Sequence, residues 1–245
     1  MIPKFASNAA AIACELRNRS SRHRAIIFDF DGVLADSEVL SNSVIAEIVT
    51  ELGVPTSLDD AYRTYMGKRL KEVIETIERV TGRKLPPDFA DHYQERTFQS
   101  FRRGLKPVDG AREFIEAWRD VPTCIASSSS PERLALSLEV LNMAPLFEGR
   151  VFSASSVARG KPHPDIFFYA AERLGVKQAD CLVIEDSVGG ITAARAAGAT
   201  AIGFTAAGHI QPGHEARLRE AGAGHVVASF AELDRIVRPL LQATV

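Results

Sequence analysis

The sequence predicts an α/β fold, with a Rossmann-like, doubly wound parallel sheet as its core and an inserted α-helical cap domain. Three observations predict this class. Short apolar, β-rich runs recur along the 245 residues, helical patterns alternate with them, and the interval from about 37 to 105 lacks a convincing strand. Strands of a parallel sheet covered on both faces have continuous apolar sequences, and alternation with helices is typical of doubly wound sheets.

The apolar runs give the expected strands, and turn residues between them give the expected helix boundaries. Ser130-Pro131 supplies an N-cap followed by proline at the first helical position. Gly175 and Gly198 stand where two further helical patterns end, as glycine commonly does. The predicted strands are 24–30, 122–127, 180–185, 199–204 and 225–228, with a weaker one at 150–153.

The interval without strands contains several helical stretches, divided by turn signals such as Gly53, Gly82 and Pro86-Pro87. It is predicted to be a small helical domain inserted directly after the first strand, with its hinge near 36 and 106. The predicted organisation is therefore an N-terminal arm at 1–22, a Rossmann-like catalytic core at 23–36 and 106–245, and a helical cap at 37–105.

Composition excludes several classes of partner. The chain has 29 basic and 31 acidic side chains, so its near balance gives no reason to expect nucleic acid or an anionic membrane. No apolar stretch approaches the ~20 residues that a membrane span needs. Cys14, Cys124 and Cys181 form no close pair, and the apolar runs around Cys124 and Cys181 indicate buried free thiols in a reducing compartment. We expect a cytoplasmic protein, with a monomer as the default state.

Two carboxylates follow the first predicted strand, in Phe28-Asp29-Phe30-Asp31. Side chains alternate along a strand, so Asp29 and Asp31 are predicted to project to the same side near its carboxyl end. Ligand crevices form at that end of open α/β sheets. An isolated pair of this kind can equally consist of a helix cap and a surface residue. Whether Asp29 and Asp31 form a ligand site therefore depends on the other motifs.

A second acidic pair, Glu185-Asp186, ends another apolar strand and precedes Ser187. Adjacent carboxylates there can complete an oxygen-ligand site for Mg²⁺. Several acids placed together without a cation would raise one another's pKa through like-charge repulsion, and a metal removes that problem. A serine capping the next helix is compatible with this interpretation, since Ser187 can cap while Asp186 binds the metal.

Two further elements are candidate phosphate contacts. Ser127 ends a strand directly before a helix, and its hydroxyl and the amide of Ser128 can face an anion near the helix N-terminus. Taken alone, Ser127 is more often a structural cap. Lys161 lies in a loop whose conformation is restricted by prolines. An isolated lysine is normally solvated, but this one follows a predicted strand, so its loop can reach the same crevice.

The cap contains one candidate substrate-binding loop. Gly67 allows a tight bend, and the adjacent cations Lys68 and Arg69 could contact a distal anionic group of a substrate. A solvated charge run opening a helix explains these residues equally well.

The four motifs DFDGVLADSE, the serine after CIA, KPHPDIF and VIEDSVGGI resemble, in this order, the signature of the haloacid dehalogenase superfamily. As a set they look like its β-phosphoglucomutase-like subfamily with a helical cap. The resemblance implies that Asp29 is a nucleophile and Asp31 a general acid/base. It also implies Mg²⁺ held by Asp29, the Asp31 carbonyl and Asp186, with Glu185 as a ligand or a neighbour, and a phosphoryl group bound by Ser127 and Lys161.

The expected function is Mg²⁺-dependent hydrolysis of a small phosphorylated metabolite, through an aspartyl-phosphate. The DSEV run and the region LEVLNMAPLF look like bacterial phosphatases that act on 6-phosphogluconate and related sugar phosphates. The alternative is a sugar phosphomutase of the β-phosphoglucomutase type. Such mutases carry a histidine in the first cap helix, where this chain has Ser41, which favours the phosphatase. A catalytically inactive binding protein is disfavoured because nucleophile, acid and metal ligands are all present.

Overall fold

The computed structural model describes residues 23–66 and 70–241. At its centre is a six-stranded sheet in the order β3-β2-β1-β4-β5-β6, and every neighbouring pair is parallel. The predicted doubly wound parallel sheet is therefore confirmed. The strands are β1 Ala25–Phe28, β2 Thr123–Ser127, β3 Val151–Ser153, β4 Cys181–Glu185, β5 Thr200–Phe204 and β6 His225–Val227.

Helices connect the strands, and three short 3-10 turns lie at Ala144–Phe147, Ala154–Ser156 and Gln178–Asp180. The N-cap predicted at Ser130 is present, since its side chain accepts from Arg133 N. No described helix is both long enough and apolar enough to cross a membrane. The helices are α1 Glu38–Glu51, α2 Leu58–Thr64, α3 Leu70–Thr81, α4 Phe89–Gly104, α5 Ala111–Ala117, α6 Pro131–Val140, α7 Asp165–Leu174, α8 Val188–Ala196, α9 His214–Glu220 and α10 Phe230–Leu241.

The sheet is buried on both faces, which explains its continuous apolar strands. Ile26 and Phe28 of β1 belong to one hydrophobic cluster, which also contains side chains of α5, α6 and α10. Ala25 and Ile27 point the other way, into a cluster shared with α7, α8 and α9. Because both faces of β1 are covered, its whole length is apolar.

The helices α1 to α4 form a separate group with a hydrophobic cluster of their own, which includes Val49, Ile77 and Phe89. We propose that this group is the cap predicted at 37–105. The chain leaves and re-enters the core side by side, because Asp36 N donates to Lys106 O at 3.0 Å. The predicted arm at 1–22 lies outside the described residues.

The first strand is shorter than predicted. It ends at Phe28, so Asp29 and Asp31 lie in a turn and not on an alternating strand. The turn is closed by Phe30 O, which accepts from the backbone amides of Leu34 and Ala35 at 2.9 and 3.0 Å, and Gly32 has the left-handed φ of 80°. The inference that both acids project to one side by strand alternation is therefore wrong, although both still lie at the end of β1.

A buried histidine, His23, lies two residues before β1 and is expected to make the fold sensitive to acid. His23 Nε2 is 2.8 Å from Thr200 Oγ1 at the start of β5, and His23 Nδ1 has no partner among the described residues. Burial lowers the pKa of His23 below the ordinary 6.5. The unfolded chain therefore binds a proton at His23 at a higher pH than the folded protein does. The stabilisation that comes from folding with a neutral His23 is complete above about pH 6.5 and is lost as the pH falls below that value.

We expect His23→Gln to reduce the loss of unfolding free energy between about pH 7.5 and about pH 5.5. The measurement is urea unfolding of both proteins at the two pH values, with the exposed His92→Gln as the matched control. An acid-induced loss that is the same in His23→Gln and the parent protein would contradict this assignment.

Candidate active site

Three carboxylates meet at the carboxyl edge of the sheet. Asp29 follows β1, Glu185 is the last residue of β4, and Asp186 comes next. The two strands are neighbours, so their ends lie together. One carboxylate oxygen from each residue lies within 4.8 Å of the others, and all three residues are buried. The structure thus brings together three of the acids predicted from sequence.

Lys161 lies between two of these acids. Its Nζ is 2.5 Å from Asp29 Oδ1 and 2.6 Å from Glu185 Oε1. It also donates to Ala126 O at 2.9 Å, which ties the loop before α7 to β2. The lysine side chain is only 6% exposed. Lys161 therefore lies beside Asp29, as its position after a strand predicts.

The electrostatics of this cluster favour binding a further cation. Burial raises the pKa of Asp29 well above its usual range, and Glu185 and Asp186 add to this, although Lys161 opposes it. Burial alone would lower the pKa of Lys161, but Asp29 and Glu185 outweigh burial and raise it. When all three carboxylates are ionised, the single Lys161 ammonium leaves an excess of negative charge that a metal cation would offset.

Asp186 is held by a histidine that sequence reasoning missed. His209 Nε2 lies 3.0 Å from Asp186 Oδ2. Burial raises the pKa of Asp186 to about 6, with Glu185 adding to it and the histidine opposing it. His209 lies in the loop after β5. The rule that identified Asp29, a polar residue just past a strand at the carboxyl edge, is the signal that could have found His209.

The acidic cluster fits a hard divalent cation such as Mg²⁺, which prefers oxygen ligands. Its members differ in how many protein partners they have. Glu185 Oε1 accepts from Lys161, and its Oε2 accepts from Ser187 N and Ser187 Oγ at 2.9 Å each. Both Glu185 oxygens are thus occupied by the protein, so Asp29 and Asp186 fit the part of metal ligands better.

Asp31 lies in a different environment from the acidic cluster. Its carboxylate accepts from Ser37 Oγ and Ser129 Oγ at 2.5 Å each, and from Arg133 at 2.8 Å. Burial alone would raise the pKa of Asp31, but Arg133 and the two serines outweigh burial and lower it. The carboxylate is therefore held in its charged form. The Asp31 carboxylate does not belong to the cluster of three acids. The backbone carbonyl of Asp31 is therefore the part of this residue that stays a predicted metal ligand.

Sequence reasoning also missed the donors to Asp31. Ser37 lies directly before α1, Ser129 in the turn after β2, and Arg133 in the first turn of α6. A signal was available for Arg133, because the helix that begins after the serine run must start at the carboxyl edge. Which of its side chains reaches Asp31 depends on tertiary packing, and no local pattern encodes that.

The predicted phosphate-binding serines differ in exposure. Ser127 is buried at the end of β2, and its Oγ accepts from Ser129 N at 3.1 Å. Through this contact Ser127 stabilises the turn after β2, which agrees with its interpretation as a structural cap. Ser128 is exposed beside it. The proposed cap loop of Gly67, Lys68 and Arg69 lies outside the described residues.

Two glycines provide the space that the acids occupy. A Cβ added at Gly190 in α8 would lie 1.8 Å from Glu185 Oε1, and one at Gly32 would lie 2.0 Å from Asp186 Oδ2. Gly189, the preceding residue, has no atom within 4 Å of such a Cβ. Gly190 therefore has to lack a side chain, whereas Gly189 does not.

We expect Gly190→Ala to lower the catalytic rate at least ~10-fold, because the methyl group displaces Glu185 and with it Lys161. Overpacking of this kind should also destabilise the fold by ~1–3 kcal/mol. Gly189→Ala is the matched control and should be neutral or stabilising by up to ~1 kcal/mol, since alanine favours helix. Steady-state kinetics and urea unfolding of both variants test this. Equal effects of the two substitutions would contradict the steric argument.

Comparison with known proteins places this geometry in context. The sequence matches the haloacid dehalogenase-like hydrolase family over residues 23–198. It is 30% identical over 193 residues to the 6-phosphogluconate phosphatase of Escherichia coli (strain K12), covering 78% of this chain and 87% of the relative. It is also 30% identical over 192 residues to the β-phosphoglucomutase of Bacillus subtilis (strain 168), covering 73% of this chain and 82% of the relative.

A solved structure with a similar fold is also related in sequence. The HAD family hydrolase from Deinococcus radiodurans R1, with bound phosphate and sodium, superposes with a TM-score of 0.78. The two chains are 35% identical, and the match covers 90% of this chain and 97% of that one.

Proposed function

The chain belongs to the haloacid dehalogenase-like hydrolase family, and we propose that it is a Mg²⁺-dependent phosphatase acting on a sugar phosphate or phosphorylated sugar acid. The family predicted from the four motifs is thus confirmed. One observation carries the proposal: Asp29, directly after the central strand β1, has its carboxylate 2.5 Å from the Lys161 ammonium and beside two further acids. The similarity to a 6-phosphogluconate phosphatase supports the substrate class.

In the first proposed step, a carboxylate oxygen of Asp29 attacks phosphorus in line. The bond from phosphorus to the sugar oxygen breaks as Asp31 gives that oxygen a proton. The product is an aspartyl-phosphate on Asp29, which is an activated mixed anhydride. The Lys161 ammonium, fixed by Asp29 and Glu185, is placed to stabilise negative charge on the transferring group.

In the second step, Asp31 takes a proton from water while the water oxygen attacks the same phosphorus. The bond from phosphorus to Asp29 breaks, phosphate leaves, and the carboxylate of Asp29 is restored. The charged form of Asp31 is the one that Arg133, Ser37 and Ser129 stabilise, so its contacts suit this second step. For the first step Asp31 must carry a proton, which requires weakening these contacts.

Asp29 and Asp186 would hold the Mg²⁺, with the Asp31 carbonyl as a further ligand. When bound, the ion neutralises phosphoryl oxygens and lets a charged carboxylate approach a charged ester. The excess of buried negative charge around Asp29 supports this assignment. We also propose the reducing cytoplasm as the compartment, because Cys124 and Cys181 are buried free thiols.

We expect phosphate release from at least one member of a panel of sugar phosphates, phosphorylated sugar acids, phosphoglycolate and nucleotides. Exhaustive chelation should abolish it and added Mg²⁺ should restore it, because the acidic cluster requires a cation. Asp29→Asn should lose more than ~10²-fold in rate, since an amide cannot form the anhydride. The exposed Asp109→Asn is the matched control and should keep the parent rate.

Two results would contradict this proposal. Full activity after chelation would exclude the metal site. Turnover by Asp29→Asn near that of Asp109→Asn would exclude the covalent step, provided that both variants give the parent circular dichroism spectrum.

A sugar phosphomutase is the second candidate, favoured by the similarity to a β-phosphoglucomutase. A mutase must keep its aspartyl-phosphate from water until the sugar has turned round. At the place of the expected cap histidine, Ser41 Oγ donates to Ser37 O and accepts from Arg133. Neither a hydroxyl nor an arginine, which cannot be deprotonated in proteins, supplies a mobile proton near neutral pH. This arrangement favours hydrolysis.

We therefore expect phosphate release without isomerisation. The measurement supplies β-glucose 1-phosphate with a trace of glucose 1,6-bisphosphate and follows both glucose 6-phosphate and free phosphate. If glucose 6-phosphate forms faster than free phosphate, the enzyme is a mutase, while Asp29, Asp31 and the metal site keep their proposed roles.

A further inference from the structure

One arginine links the core to the cap at the site of Asp31. Arg133 lies in the first turn of α6, and its NH2 group is 2.8 Å from Asp31 Oδ1 and 3.1 Å from Ser41 Oγ on α1. The guanidinium lies over the ring of Phe101 on α4, with 4.9 Å between Cζ and the ring centroid. A single side chain thus contacts the core acid and two cap helices.

The surroundings of this arginine set its geometry. Its side chain is 18% exposed and that of Asp31 is 13% exposed, so the pair is largely shielded from solvent. Arg133 Nε is buried and has no hydrogen-bond partner among the described residues. A buried donor without a partner is unfavourable, so the contacts that Arg133 does make must compensate for it. The orientation of the guanidinium therefore follows from Asp31, Ser41 and Phe101.

From these contacts we infer that Arg133 is a positioning residue, which holds the Asp31 carboxylate at a place fixed jointly by the core and by cap helices α1 and α4. This inference rests on the proposed function, because it concerns the acid/base of that reaction. Arginine suits the role, since its planar group can donate at its edge to Asp31 while its face stacks on Phe101. It does not take part in proton transfer itself.

The role differs from substrate binding in a measurable way. Loss of a group that only binds substrate raises KM and leaves kcat unchanged, whereas displacement of an acid/base lowers kcat. The first proposed step needs a proton only for a poor leaving group, and the second needs a base for every substrate. Displacing Asp31 should therefore leave aspartyl-phosphate formation from p-nitrophenyl phosphate intact and slow its hydrolysis.

The test compares Arg133→Met, Arg133→Lys and Ser41→Ala with Arg96→Met as the matched control. Arg96 is a cap arginine that is 21% exposed and pairs with Glu47 and Glu51. Each variant is first checked by thermal unfolding. Each is then assayed with the best sugar phosphate from the panel and, in stopped flow, with p-nitrophenyl phosphate.

For Arg133→Met we expect kcat on the sugar phosphate to fall ~10–100-fold with KM changed by less than ~3-fold. We expect a burst of p-nitrophenol stoichiometric with enzyme, followed by slow turnover. Arg133→Lys should recover part of the rate by restoring a charge, and Ser41→Ala should lose less than Arg133→Met. Arg96→Met should keep the parent kinetics.

Three outcomes would overturn the inference. They are an unchanged kcat in folded Arg133→Met, a raised KM with kcat intact, and an equal loss in Arg96→Met. Each requires an active parent enzyme. A parent protein that releases no phosphate from any ester would instead overturn the proposed function, so the two failures are distinguishable.

Discussion

The ion pair of Lys161 with Asp29 and Glu185 is the contact on which the rest of the site depends. Three carboxylates are buried at the ends of β1 and β4, and burial without compensation is strongly unfavourable for charged groups. The lysine compensates two of them directly, at 2.5 and 2.6 Å. Its loop must therefore reach the end of β2, where Ala126 O accepts from the same ammonium. Helix α8 must also approach without a side chain at Gly190, because Glu185 fills that space.

Much of this arrangement could be predicted from the sequence, for reasons that are physical. Both faces of β1 and its neighbours are covered by helices, so the strands are visible as apolar runs, and parallel strands bring Asp29, Glu185 and Asp186 to one edge. Lys161 could be predicted for the same reason, since it follows a strand of that sheet. These features depend on periodicity and strand polarity, which are encoded locally.

The rest could not be predicted, because it depends on which side chains from distant segments meet. The prediction that Asp31 lies on an alternating strand is wrong, because β1 ends at Phe28 and the chain then turns at Gly32. Two of the donors to Asp31, Ser129 in the turn after β2 and Arg133 in α6, lie about a hundred residues further along the sequence. His209 reaches Asp186 from yet another loop. Local sequence patterns can indicate that His209 and the start of α6 lie at the carboxyl edge, but which side chains meet there follows from packing.

The two aspartates of the first motif have opposite electrostatic environments, and this separates their proposed roles. Burial raises the pKa of Asp29, with Glu185 and Asp186 adding to it against Lys161, so a bound cation would favour the charged form that the proposed nucleophile needs. Asp31 has a lowered pKa and is held by a permanently charged arginine that also contacts the cap. A histidine at that place could gain and lose a proton with pH, whereas Arg133 cannot. The state of Asp31 is then governed by the distance to its donors. In the proposed reaction, a base set by geometry in this way is ready for water as soon as the aspartyl-phosphate forms, which a phosphatase needs and a mutase must prevent.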